Sequence, residues 1–107
     1  MTTGNQYYRP GVLRFDEVEW DHAKAEMNVE KHDVAFIDAA NVFLDIDRIE
    51  QISPDGRSPE PRWKTVGRSS DLLIAVIFTI RGMNVRIITA RRASRRERRE
   101  YGSSTSL

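Results

Sequence analysis

The segment Leu72–Ile80, LLIAVIFTI, runs for nine residues with one polar interruption at Thr79. A stretch with no polar face needs cover on both sides, or nearly so, and nine residues fall well short of the roughly 20 that span a bilayer as a helix. β-Branched and aromatic residues dominate it, so it predicts a strand in the middle of a sheet. Arg62–Ser69 (RWKTVGRS) reads as the strand before it, Arg81–Asn84 (RGMN) as a turn, and Asn84–Arg91 (NVRIITAR) as the strand that pairs next.

Ile46–Ile52 (IDRIEQI) also has a period of two and predicts a further strand. Between it and Arg62 lies SPDGRSPEP, residues 53–61, whose three Pro and one Gly permit only a loop. Before Asp45 the period is 3.6. Phe36, Ala39, Ala40 and Phe43 recur at helical spacing within residues 35–44, and residues 22–32 hold no helix breaker and follow Asp21, a good N-cap. Ala23, Met27 and Val34 form the stripe that this first helix is expected to bury. Val12, Leu13 and Phe15 open a short strand ending near Trp20, and Ser94 can cap a last helix over residues 95–101. The order is β-α-α, a four-stranded antiparallel meander, then α: an α+β fold with its helices on one side of the sheet. At 107 residues one domain is expected, residues 12–101, between a flexible lead (1–11) and a flexible tail (102–107).

The formal net charge of +1 averages over two unlike halves. Residues 1–60 carry 6 basic and 13 acidic side chains, a net of −7, whereas residues 61–107 carry 11 basic and 3 acidic, a net of +8. Of the 17 cations 14 are Arg, whose planar fork matches phosphate oxygens and keeps its charge when partly buried. This distribution points to a phosphate-bearing partner. The chain has no Cys, which removes disulfides, thiolate zinc sites and Cys nucleophiles. With no signal-like apolar segment in residues 1–10 either, a cytoplasmic location is the default, and no membrane partner is indicated.

Three groups of residues carry the chemistry. Lys24, Asn28, Lys31 and His32 sit at i, i+4, i+7 and i+8 of the first helix and share a polar stripe, which describes a solvated face as readily as a site. Arg62, Lys64 and Arg68 alternate along one strand and project from one face. In the pairing strand Arg86, Ile88 and Ala90 are expected on one face and Val85, Ile87, Thr89 and Arg91 on the other. Like charges side by side on a sheet are unfavourable unless an anion sits among them, so this row reads either as solvated or as an anion site. The third group is Arg91–Arg99, RRASRRERR, six Arg and one Glu in nine residues, of which Arg91 and Arg92 are held by the strand while Arg95 and Arg96 follow it.

Such a set fits some reactions and not others. Two-metal nucleases need clustered carboxylates, and residues 61–107 offer only Asp71, Glu97 and Glu100; no GxxxxGK[ST] phosphate loop is present. A metal-free ribonuclease needs one group to take the 2′-hydroxyl proton, one to protonate the leaving oxygen, and cations around the phosphorane. His32, Lys24 and Glu60 can move protons, with Arg68, Arg91 and Arg92 as charge stabilisers and Asn28, Lys31, Arg62, Lys64, Arg95 and Arg96 as RNA contacts. No metal and no cofactor enter.

The run Glu19-Trp20-Asp21, Lys24, Asn28, Lys31-His32, then Val34, Phe36, Ala39, Ala40 and Phe43 resembles the opening of BrnT-type toxins, the ribonuclease half of a bacterial type II toxin–antitoxin module. Glu60–Arg62 with Trp63, Gly67 and Ser69, and Ile87–Ala93 with Glu97, Arg98 and Tyr101, resemble the same family in the same order, so the likeness covers about residues 13–101. It implies a compact fold similar to RelE-type toxins and cleavage of RNA that inhibits growth. It also implies neutralisation by a BrnA-type antitoxin, in a complex such as a heterotetramer, that alone brings operator DNA to the pair. Carried over by position, its functional residues are Lys24, His32, Glu60, Arg62, Arg68, Arg91 and Arg92, with Trp20 and Asn28 shaping the site. One departure is Asp33, where the family commonly has Gly; Asp takes the left-handed helix-ending conformation less readily, which bears on how His32 is aimed. Two other functions fit the residues. A nucleic-acid-binding module without catalysis would show steep salt dependence and no cleavage, and an inactive homologue that only binds a DNA-binding partner would form a tight complex without toxicity.

Overall fold

The computed structural model describes residues 7–11, 17–53 and 59–105. In chain order the elements are β1 (Glu17–Glu19), α1 (His22–His32), α2 (Phe36–Asn41) and a 3-10 turn (Val42–Leu44). There follow β2 (Ile49–Ile52), β3 (Trp63–Ser69), β4 (Leu72–Arg81), β5 (Asn84–Arg92) and α3 (Arg95–Thr105). The expected Val12, Leu13 and Phe15 of the first strand, and most of the 53–61 loop, lie outside the described residues. α1 has its expected bounds: the Asp21 carboxylate accepts from the Lys24 N–H at 2.9 Å at one end. α3 continues past Tyr101 to Thr105.

The fold is α+β, with a five-stranded sheet in the order β1-β5-β4-β3-β2. β4 lies at its centre, as its apolar sequence requires. β2 to β5 pair antiparallel in succession, but β1 joins the far edge parallel to β5, so the sheet is mixed rather than antiparallel. Three residues with one apolar side chain, Val18, carry no pattern that could reveal their direction. The β4–β5 hairpin turns at Gly82, whose φ of +62° is the left-handed value that a two-residue loop needs at its first position.

The helices occupy both faces, which corrects the one-sided expectation. Leu72, Ile74, Val76 and Phe78 of β4 pack with Phe36, Ala39, Val42 and Phe43 of α2 and the 3-10 turn. Leu73 and Ala75 point the other way and meet Val66, Ile49, Ala93 and Tyr101. A strand apolar on both faces demanded a second layer, and Ala93 and Tyr101 are its apolar residues. The larger core is rich in rings. Phe43 meets Phe78 edge-on at 5.0 Å, Trp63 stacks on Phe78 at 5.9 Å, and Trp20 contacts Phe36 at 6.0 Å. Such pairs add roughly 0.5–1.5 kcal/mol each beyond the area they bury. Gly67 lets the 3-10 turn approach β3: a Cβ there would stand 2.7 Å from Val42 Cγ1.

β5 contains a bulge, opposite the step from Ile77 to Phe78. One extra residue shifts the alternation, so Val85, Ile87 and Ala90 all enter the larger core while Arg91 lies opposite Ala75 on the α3 face. The face assignment expected from strict alternation therefore fails beyond Ile87. At the β2 edge Tyr8 forms an antiparallel bridge with Glu50 and donates its hydroxyl to Glu50 at 2.8 Å. Glu50 in turn pairs with Arg48, which is fully buried and lies over the Phe43 ring. Among the described residues no helix is long and apolar enough to cross a membrane.

Candidate functional site

α1 is turned differently from its expected orientation. Ala23 is exposed, Met27 is 65% exposed, and the residues facing the sheet are Ala25 and Asn28. The apolar residues of α1, Ala23, Ala25, Met27 and Val29, are spaced by two and spread around the helix, so periodicity alone could not choose its inner face. Asn28 chooses it. Its amide donates to the carbonyls of Val34 and Ala90, both at 2.8 Å, and its oxygen accepts from the Ala90 N–H at 3.1 Å and the Thr89 hydroxyl at 3.2 Å. All four capacities of the side chain are used, so Asn28 clasps α1 to β5 and offers no free group to RNA; its expected place on an open polar stripe is corrected.

Lys24, Lys31 and His32 remain around this clasp. With Met27, Asn28, Ile88 and Thr89 they line a cavity of about 190 Å³. α1 ends immediately beyond it. Asp33 adopts φ 58°, ψ 38° and its N–H closes the last turn on Val29 O at 2.9 Å, so the Asp present here ends the helix in the left-handed conformation. The Asp33 carboxylate also reaches Arg92 at 3.9 Å, which brings this cation near the same helix end.

Lys64 and Arg91 converge on a different partner. Glu97 of α3 accepts from Lys64 Nζ at 2.7 Å and from both terminal nitrogens of Arg91 at 2.7 and 2.9 Å. Ser94 and Glu97 also bond each other reciprocally, Glu97 N–H to Ser94 Oγ at 3.1 Å and Ser94 N–H to the Glu97 carboxylate at 2.9 Å, a capping box that starts α3. Burial pushes the Glu97 carboxyl up, but Arg91, Lys64 and the Ser94 N–H together outweigh burial and hold it well below the usual carboxylate range. Of the row Arg62, Lys64 and Arg68, Lys64 does have an anion, and that anion is internal. Arg95 and Arg96 are exposed on α3, Arg96 lying 3.6 Å from Glu100.

Arg68 belongs to a third locality. Its N–H donates to Asp45 Oδ2 at 2.8 Å, the same oxygen accepts from the Tyr101 hydroxyl at 2.8 Å, and the Arg68 guanidinium lies 5.8 Å from the Tyr101 ring centre. Burial, then the bond to Asp45, pushes the Tyr101 hydroxyl up to about 12. A cavity of about 290 Å³ opens beside Arg68, lined also by Asn41, Leu44 and Ser70.

Glu60 lies away from Arg68 and does not line the cavity between α1 and β5. Its carboxylate is held by Arg81 at 3.1 and 3.2 Å, before Trp63 at the start of β3, whereas Arg68 ends that strand. Five residues at roughly 3.3 Å each put about 17 Å between Trp63 and Arg68 along the strand. Arg62 precedes Trp63 and shares the Glu60 end. Arg81 also holds the Glu60 carboxyl below its ordinary value, which suits an ion pair better than a proton shuttle. Trp20 is partly buried and packs against Phe36.

The sequence reading missed Met27, Ile88 and Thr89 as cavity walls and Asp45 and Tyr101 as partners of Arg68. No local signal marked the first three, since the cavity is made by a helix meeting a bulged strand. Among the described residues no three His, Asp or Glu side chains are grouped to hold a metal ion. A comparison with curated proteins finds no match. A family model described as the ribonuclease toxin, BrnT, of type II toxin–antitoxin systems matches residues 20–97.

Proposed function

Because the chain belongs to the BrnT family of ribonuclease toxins of type II toxin–antitoxin systems, we propose that it is a metal-independent endoribonuclease whose chemistry takes place at the cavity between α1 and β5. The observation that carries this reading is that Lys24, Lys31 and His32 line one cavity. An imidazole and two ammonium groups supply proton transfer and charge for a phosphoryl reaction without further help.

The reaction follows from the substrate. The ribose 2′-oxygen attacks the adjacent phosphorus while its proton passes to His32, the bond from phosphorus to the 5′-oxygen breaks, and that oxygen receives a proton from Lys24 as it leaves. The products are a 2′,3′-cyclic phosphate and a 5′-hydroxyl. Lys24 and Lys31 balance the extra negative charge of the phosphorane, and Arg92, held near by Asp33, extends the positive surface along the backbone. Arg91 and Lys64 act by anchoring α3, and Glu60 has no part in proton transfer.

A protein antitoxin is the partner that a type II module requires. We take it to be a DNA-binding protein of the BrnA type that forms a higher-order complex with this chain in the cytoplasm, and the fold to be of the RelE type. The test is incubation of the purified protein with RNA in EDTA beside the same sequence with 2′-deoxyribose. The expected result is cyclic phosphate ends from RNA alone. RNA that is bound but left whole would leave a binding module in place of the enzyme.

A further inference from the structure

Past Arg86 the outer edge of β5 has no strand beside it among the described residues, since β1 pairs only with Asn84, Val85 and Arg86. A side chain takes that strand's place. The carboxamide of Asn28 accepts from the Ala90 N–H at 3.1 Å and donates to the Ala90 carbonyl at 2.8 Å, the pair of bonds that a neighbouring strand would make. We propose that this carboxamide and the Thr89 hydroxyl are a positioning device for RNA cleavage: they fix where His32 stands against β5, and neither binds RNA. The inference rests on the reading of the cavity between α1 and β5 as the site of the reaction and adds what holds that site in shape.

The chain is fastened on both sides of His32. Asn28 lies one helical turn before it, and the other amide hydrogen of Asn28 goes to Val34 O at 2.8 Å, just after it. Between them the Asp33 N–H closes the last turn on Val29 O at 2.9 Å. A helix end held only by its own turns frays; this one is bonded to a strand residue 62 positions away. Thr89 completes the clasp by donating its hydroxyl to the Asn28 oxygen at 3.2 Å. That oxygen then has two donors and the nitrogen two acceptors. Turning the amide over would set its NH2 against the Ala90 N–H and its oxygen against two carbonyls, so the side chain has one seat.

β5 presents these groups through its bulge. Ile77 pairs with Thr89 and Phe78 with Ile87, which leaves Ile88 as the extra residue. A bulge bends its strand and adds twist, and here the bend falls immediately before Thr89 and Ala90, where α1 is held. Proton transfer is sensitive to such placement: a displacement of about 1 Å can cost on the order of 100-fold in rate. The attraction of Lys24 and Lys31 for phosphate falls off more gently with distance and tolerates it.

The test compares single-turnover cleavage of RNA in EDTA with the affinity for the same sequence in 2′-deoxy form, which 2′-attack cannot cut, both per folded molecule from urea unfolding. Asn28→Ala is expected to slow cleavage about 100-fold with affinity within about twofold of wild type. Thr89→Val slows it about fivefold, the worth of one hydrogen bond, and Thr89→Ser, which keeps the hydroxyl, cuts at the wild-type rate. Because Thr89 acts through Asn28, the double variant cuts at the rate of Asn28→Ala alone. A rate loss matched by an equal loss of affinity makes Asn28 an RNA contact and overturns the proposal, as does a wild-type rate in Asn28→Ala or a double variant whose losses multiply. If Asn28→Ala does not fold, the two Thr89 variants decide by the same split of rate from affinity. Wild-type protein that leaves RNA whole overturns the ribonuclease reading and this proposal with it; wild-type protein that cuts, with variants that cut equally well, discards the clasp alone.

Discussion

Two groups of cations, on opposite faces of one sheet, meet different fates. On the α3 side Lys64 and Arg91 close around Glu97, and the charge is spent inside the molecule. On the α1 side Lys24, Lys31 and His32 surround an open cavity. In the sequence both groups are simply basic residues at regular spacing. The difference teaches that cation density measures how much positive charge a chain carries, and only the placement of its carboxylates tells where that charge is available.

Breaking the open group should have the largest effect. His32→Ala is expected to lower RNA cleavage by roughly 100-fold or more while leaving the urea midpoint unchanged, as loss of a proton-transfer group does. Cleavage within a few-fold of wild type would move the chemistry elsewhere, the Arg68 cavity being the next place to look.

Breaking the closed group should instead cost stability. Glu97→Ala leaves Lys64, 17% exposed, and the half-exposed Arg91 without their carboxylate and removes half of a capping box. Allowing for the solvent that reaches Arg91, a loss of about 2–4 kcal/mol is expected in urea unfolding. The same pair predicts acid sensitivity. The folded-state pKa of Glu97 is depressed, so its contribution is present above the unfolded value near 4.3 and is lost as the pH falls below it. In Glu97→Ala that part of the acid-induced loss should be missing; an unaltered acid profile would show that the ion pair contributes nothing.

Lys31→Ala sharpens the contrast at smaller scale. It should weaken RNA binding a few-fold and reduce the slope of log K against log salt by about 1, since one phosphate contact is removed, whereas Lys64→Ala should leave that slope alone. Glu60→Gln sits outside both groups. Its bond to Arg81 is at the surface, and cleavage is expected to change by less than about twofold, measured on the same RNA.

Legibility followed the strength of local constraints. α1 could be bounded at Asp21 and His32 because a cap and a chain without breakers are local facts, and β4 could be centred because nine residues without a polar face leave one solution. The rotation of α1 could not be read, because its apolar residues are spaced by two and the deciding contacts of Asn28 lie 62 residues away at Ala90. The faces of β5 were misread for a different reason. A bulge is one extra residue in a pairing, and NVRIITAR looks the same with it or without it.

The candidate site divides in the same way. Lys24, Lys31 and His32 were within reach of sequence reading since they lie within nine residues on one helix, where 100° per residue fixes their relation. Glu60 does not line the cavity with them, and the sequence could not tell, because no periodicity crosses from a loop to a helix. The row Arg62, Lys64 and Arg68 reads from the sequence as solvated or as an anion site, and the carboxylate that meets Lys64 could not be read: Glu97 is brought back by the turn of the chain at Ala93 and Ser94.

By itself, then, the sequence determined the α+β class, the central strand, the helix that carries Lys24, Lys31 and His32, and the ordered blocks that mark the BrnT family. Those properties arise from short-range geometry and composition. The tertiary structure alone decided the parallel edge strand, the covering of both faces, and which cations stay free. Each of these depends on contacts between residues far apart in the chain, such as Asn28 with Ala90 and Lys64 with Glu97, and a contact of that kind leaves no period in the sequence to be read.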